Sequence, residues 1–248
     1  MAAALILAAG FATRLHPLTA ERPKSLLPIG SRVVLDWTLD ALEALPAIQR
    51  IVLVTNAKFA AQFEAWLRTR PATVPVQVIN DGATSDAYRL GAIRDLQLVL
   101  EQGHMREPLL VIAGDHILEW DLADFLRCAQ AHLPATTVAV YALPDPAEAP
   151  RFGIARLDAQ QRLIAFEEKP AHPQSHLAVV CVYYFQPQRI QARLTEYLAT
   201  NQPTDAPGFF IGWLSAREPV YGWLAQGRLF DIGTLETYAV AQQTFAGA

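Results

Sequence analysis

The chain has 248 residues, of which 52% are hydrophobic and 18% charged, and a net charge of −4. That balance suits one globular α/β domain with a sizeable core, and it excludes a disordered chain. With no basic tail or Lys/Arg cluster, nucleic acid and anionic membrane surfaces are excluded as main partners.

Short apolar runs of strand length recur along the first half: Ala4 to Ala8, Ile51 to Thr55, Val76 to Ile79, Leu109 to Ala113 and Thr137 to Tyr141. None alternates cleanly, as expected of strands buried on both faces of a parallel sheet. Amphipathic stretches lie between them. Leu35, Leu39, Leu42 and Leu45 share one face, as do Phe59, Phe63, Trp66 and Leu67. Leu90, Ile93, Leu96, Leu98 and Leu100 predict a third helix, and Leu122, Phe125, Leu126 and Ala129 a fourth. Strands alternating with helices predict βαβ units and a doubly wound sheet.

The rhythm changes near Pro150. Gly153 to Leu157 and Leu163 to Glu167 flank the polar stretch Asp158 to Arg162, a hairpin pattern. A strand is predicted over Ala178 to Phe185, then helices over Ile190 to Leu198 and Phe209 to Ala216. Short strands at Val220 to Ala225 and near Phe230 precede a closing helix from Thr234 to Phe245. With no linker or repeat in view, residues 1–248 are read as one domain. Cys128 and Cys181 lie far apart, outside any metal spacing, and are expected as buried thiols acting as small apolar residues. No run approaches the roughly 18 residues of a membrane helix. The N-terminus lacks the positive region of a secretory signal, so a cytoplasmic location is expected.

In open α/β sheets, ligands bind beyond the carboxyl ends of the strands. The loop Gly10 to Lys24 follows the first strand and carries Arg14 and Lys24 between Pro17 and Pro23. Gly10 permits close backbone approach, Arg14 offers a planar fork, and Lys24 a mobile point charge. A surface loop with solvated Arg and Lys is the competing reading. Neither a Walker A loop nor a dinucleotide fingerprint fits these residues. The run Val111 to Ile117 places Asp115 at a strand end, and Leu229 to Thr234 repeats the pattern around Asp231. Two such carboxylates can share one Mg²⁺ with water and phosphate oxygens. Taken singly, Asp115 reads as a turn residue and Asp231 as a helix cap. Glu168 and Lys169 close the hairpin; a bend at Pro170 is needed to bring both to one side.

Gly10-x-x-Thr13-Arg14-Leu15-x-Pro17-Leu18-Thr19, Pro23-Lys24, Gly114-Asp115, Glu167-Glu168-Lys169-Pro170 and Phe230-Asp231-Ile232-Gly233-Thr234 occur in this order. Together they resemble the sugar-phosphate nucleotidyltransferases, the family typified by glucose-1-phosphate thymidylyltransferase, over nearly the whole chain. The resemblance implies a Rossmann-like three-layer α/β/α sandwich with a mixed, mostly parallel sheet. It implies a nucleotide-binding half over residues 1–143 and a sugar-phosphate-binding half over 151–248. The implied reaction joins an NTP and a sugar 1-phosphate, with Mg²⁺, into an NDP-sugar and pyrophosphate. Arg14 and Lys24 would hold the triphosphate, Asp115 and Asp231 the metal, Lys169 the sugar phosphate and Glu168 the sugar hydroxyls. Gly153 would let backbone meet the sugar. Ala8, Ala9, Gly10, Thr13, Asp81, Gly82, Arg89 and Gly91 would surround the nucleotide.

Three departures stand out. Ala12 replaces a usual glycine, and His116 replaces an Asn common after the metal Asp. The usual Gln-Pro-x-Gly-Leu-Ala base-reading segment gives way to Asn80 to Ile93, so base identity does not carry over. Two other readings stay open: the same chemistry on phosphocholine or an amino-sugar phosphate, and a non-catalytic nucleotide-binding protein.

Overall fold

The computed structural model describes residues 1–70 and 72–247. Its strands are β1 (Ala2–Leu7), β2 (Pro28–Ile29), β3 (Arg32–Val33), β4 (Ile48–Thr55), β5 (Val76–Asn80), β6 (Leu109–Ala113) and β7 (His116–Leu118). The series continues with β8 (Thr136–Ala142), β9 (Gly153–Leu157), β10 (Leu163–Glu168), β11 (Leu177–Phe185), β12 (Val220–Leu224) and β13 (Leu229–Asp231). The helices are α1 (Val34–Glu43), α2 (Ala60–Thr69), α3 (Ala92–Gln102), α4 (Leu122–His132), α5 (Pro187–Leu198), α6 (Pro207–Ser215) and α7 (Leu235–Thr244).

A nine-stranded mixed sheet runs in the order β10-β9-β11-β6-β1-β4-β5, with β8 beside β11 and β12 beside β8. Strands β6, β1, β4 and β5 are parallel, while β11 runs antiparallel to its neighbours. The period-2 alternation of strand side chains divides β1 between two cores. Ala2, Ala4 and Ile6 meet Leu35, Leu39, Phe63 and Phe125 on one face. Ala3 and Leu5 meet Ile93, Val99, Ile190, Phe210 and Leu214 on the other. Burial on both faces explains why these strands read as unbroken apolar runs. The architecture is the expected α/β/α sandwich. Among the described residues, no helix is long and apolar enough to cross a membrane.

A smaller core holds the parts that build the cleft. Leu15 and Leu27 from the opening loop pack with Ile117, Ile232 and Tyr238. The loop is therefore anchored by one buried leucine directly after Arg14 and another three residues after Lys24. Thr19 adds a hydrogen bond from its hydroxyl to the Ala12 carbonyl at 2.8 Å. Ala12 itself lies in the left-handed region, at φ 51° and ψ 43°. Gly10, the glycine singled out in the sequence, has no positive φ. The position that favours glycine is thus Ala12, whose methyl group is held in a conformation costing about 1–2 kcal/mol. Ala12→Gly relieves that strain against a smaller entropic loss. It is expected to raise stability by about 0.5–1 kcal/mol, read as a higher denaturation midpoint in urea at unchanged m-value.

Candidate active site

At the carboxyl ends of β1, β5 and β6 lies a cleft of about 630 Å³. Of the residues expected at a site, Ala9, Gly10, Arg14, Lys24, Asp81, Arg89, Gly91, Asp115, Lys169 and Asp231 all line it. Ala8, Thr13, Gly82, Gly153 and Glu168 do not line it. Ala8 is buried, and its carbonyl accepts a hydrogen bond from Thr55 at 3.2 Å. Thr13 and Gly82 are exposed outside the cleft wall.

Gly114 brings the opening loop against β6. A Cβ there would sit 3.0 Å from both the Ile6 side chain and the Ser25 hydroxyl. That close approach seats the short turn Lys24–Leu26 beside the strand end, and Lys24 forms an ion pair with Asp115. Burial opposes ionisation of Asp115, but the Lys24 ammonium and then His116 outweigh it, holding the carboxyl below its ordinary range.

Asp231 arrives by strand pairing. β13 runs antiparallel to β7, with Asp231 opposite His116. The Ile232 amide donates to the Asp115 carbonyl at 3.1 Å. His116 Nε2 lies 3.7 Å from Asp115 and 3.8 Å from Asp231. One donor atom from each of the three residues falls within 4.8 Å of the others. Two carboxylate oxygens and an imidazole in that space fit a divalent cation that keeps open positions for water or phosphate. Thr234 caps α7 by accepting from the Thr237 amide at 3.2 Å, so Asp231 is not needed as the cap.

The bend between Glu168 and Lys169 is present. Lys169 has φ 48°, and its ammonium lies 3.8 Å from Glu168. Lys169 points into the cleft, but Glu168 is drawn back between two glycines. A Cβ would lie 2.7 Å from its Oε2 at Gly153 and 1.8 Å at Gly208. The space left at Gly153 is thus occupied by Glu168 and the Phe166 ring. Burial, with help from Asp205 and against the pull of Lys169, raises the Glu168 pKa.

Sequence reasoning missed Arg151, Cys181, Asp95 and Asp205 among the polar lining residues. Cys181 was expected in the core, yet it is half-buried and lines the cleft. The pairing of β11 with β8 shifts register between Val180 and Tyr183, and such irregularities re-aim side chains. Asp95 is buried on the first turn of α3. Its one sequence signal is a carboxylate one turn ahead of Val99, on the apolar side of the helix. Burial, the Asp81 charge and a hydrogen bond with Asp81 push its pKa up to about 8. The two acids therefore share a proton at neutral pH.

Residues 3–246 match the family model of nucleotidyl transferases. The chain also resembles a solved structure from Bacillus anthracis, provisionally described as a glucose-1-phosphate thymidylyltransferase, in complex with a sucrose. The TM-score is 0.84 at 21% identity, covering 100% of this chain and 96% of that one. At that identity the likeness speaks for the fold.

The Asp95 shift has a measurable consequence. The unfolded carboxyl has the ordinary value of 3.8, and the folded one is near 8. Between those values the folded state holds a proton that the unfolded state has lost, so stability falls as pH rises through this window. Asp95→Asn is expected to flatten that part of the curve and to be more stable than wild type at pH 8, by urea denaturation across pH. A wild-type slope retained in Asp95→Asn would contradict the assignment.

Proposed function

The chain belongs to the nucleotidyl transferase family, and from that premise we propose that it joins an NTP to a sugar 1-phosphate, releasing pyrophosphate. One observation carries this reading: Arg14, Lys24 and Lys169 face the same cleft as Asp115 and Asp231. Two anions that repel each other must be held close for reaction, and these cations supply that need.

In this reading, Arg14 and Lys24 grip the triphosphate, and Lys169 holds the acceptor phosphate. An acceptor phosphate oxygen forms a bond to the α-phosphorus while the bond from that phosphorus to the bridging β-phosphate oxygen breaks. Pyrophosphate leaves with that electron pair, towards Arg14 and Lys24. No covalent enzyme intermediate is required, so positioning and charge neutralisation carry the rate. Asp115 and Asp231, with His116 beside them, would hold Mg²⁺, which supplies charge neutralisation at the phosphates. Lys24 then exchanges Asp115 for phosphate. Residues 1–143 supply the nucleotide contacts and 151–248 the acceptor contacts, with Asp231 returning from the second half. Glu168 supports Lys169 from behind, where it can meet an acceptor hydroxyl only by turning out from Gly153 and Gly208.

Among the described residues lining the cleft there is no Trp, Tyr or Phe. A quaternary ammonium acceptor would lack an aromatic cage, which favours a hydroxyl-bearing sugar over phosphocholine.

The test follows pyrophosphate release across NTPs and sugar 1-phosphates with Mg²⁺. Turnover is expected with at least one pair, and release with none would refute the reading. Asp231→Asn is expected to lower kcat by about 100-fold or more with the fold intact by circular dichroism. Lys24→Ala is expected to lower kcat; a rise confined to KM for the sugar phosphate would contradict its role on the triphosphate.

A further inference from the structure

The transfer chemistry leaves the Asp81–Asp95 pair idle, although both residues line the cleft. Asp95 is 4% exposed, and its Oδ1 is buried with no hydrogen-bond partner. An orphan buried acceptor has lost its water without gaining a partner, a penalty that a ligand donor can recover. The pair sits where a flat group can lie. Gly91, at φ +87°, opens α3, and a Cβ there would stand 2.5 Å from the Thr204 carbonyl. The Ile93 amide donates to that same carbonyl at 3.0 Å. The loop leading to α6 is thereby tied to the α3 N-terminus, and Leu7, Ala92 and Pro207 give the wall its apolar surface.

We propose that the Asp81–Asp95 pair reads the nucleobase, selecting one that carries an exocyclic amino group over uracil or thymine. This rests on the nucleotide-binding reading of the cleft. Asp95 donates its proton to Asp81, which leaves Oδ1 as a pure acceptor. An amino group of adenine, cytosine or guanine donates to it. Uracil and thymine offer one N–H between two carbonyls, and those carbonyl lone pairs would face the lone pairs of two acids. Discrimination then comes from repulsion as well as attraction.

The experiment measures dissociation constants for ATP, GTP, CTP, UTP and dTTP by calorimetry, on wild type, Asp95→Ala and Asp95→Asn. The best-bound NTP is expected to carry an amino group and to exceed UTP and dTTP by about 10-fold or more. Asp95→Ala is expected to erase that ratio. Asp95→Asn, whose amide offers the same donor to Asp81 and the same free acceptor, is expected to keep it. Should Asp95→Ala fail to fold, the amino group can be deleted from the ligand instead. ITP in place of a preferred ATP or GTP, or UTP in place of CTP, is expected to bind wild type about 10-fold more weakly. The inference is overturned, with the nucleotide site intact, if UTP or dTTP binds best. Equal binding of the deaminated ligand, an unchanged ratio in Asp95→Ala or a lost one in Asp95→Asn overturns it too. Binding of no NTP would overturn the site reading itself.

Discussion

The structure turns on one ion pair, Lys24 with Asp115, set at the carboxyl ends of parallel strands. Each partner belongs to a different segment, and both segments depend on the missing side chain of Gly114. A Cβ there would press on the Ser25 hydroxyl and the Ile6 side chain at 3.0 Å, so the turn carrying Lys24 would have to give way. The pair also stores the chemistry in a neutralised form. In the proposed reaction, a phosphate would draw Lys24 and a metal ion Asp115 out of this pairing. Half-buried charges tolerate such an arrangement because pairing offsets their desolvation.

Around that pair, long-range strand pairing replaces local sequence proximity. Asp231 meets His116 through the short β7–β13 ladder, and Ile232 fastens the junction to Asp115. Two loops at the cleft hold non-glycine residues at positive φ, Ala12 at 51° and Lys169 at 48°. Strain of this kind persists where surrounding contacts over-determine the backbone. At Ala12 those contacts include the buried Leu15 and the bond from Thr19. At Lys169 the amide donates to the Phe152 carbonyl at 3.0 Å.

Much of this was legible in the chain. Apolar runs marked the central strands because a doubly covered sheet needs no alternation, and β6 spans Leu109–Ala113 as its composition predicts. Turn residues and charges at strand ends marked Arg14, Lys24, Asp115, Lys169 and Asp231, which share one cleft. The strands β7, β2 and β3 were not legible, since two or three residues carry no period. Glu168 was expected at the cleft but is retracted from it, because the two glycines that receive it are distant in sequence. Asp95 was hidden in a helical apolar pattern, where a single acid looks like an interruption. Its partner Asp81 lies in the loop after β5 and shows only in three dimensions.

In the proposed reaction the Lys24–Asp115 pair opens to substrate. A structure of the protein with Mg²⁺ and a non-hydrolysable NTP analogue tests it most directly. Lys24 Nζ is expected on a phosphate oxygen, with the cation between Asp115 and Asp231. An analogue bound in the cleft while Lys24 stays on Asp115 would contradict it.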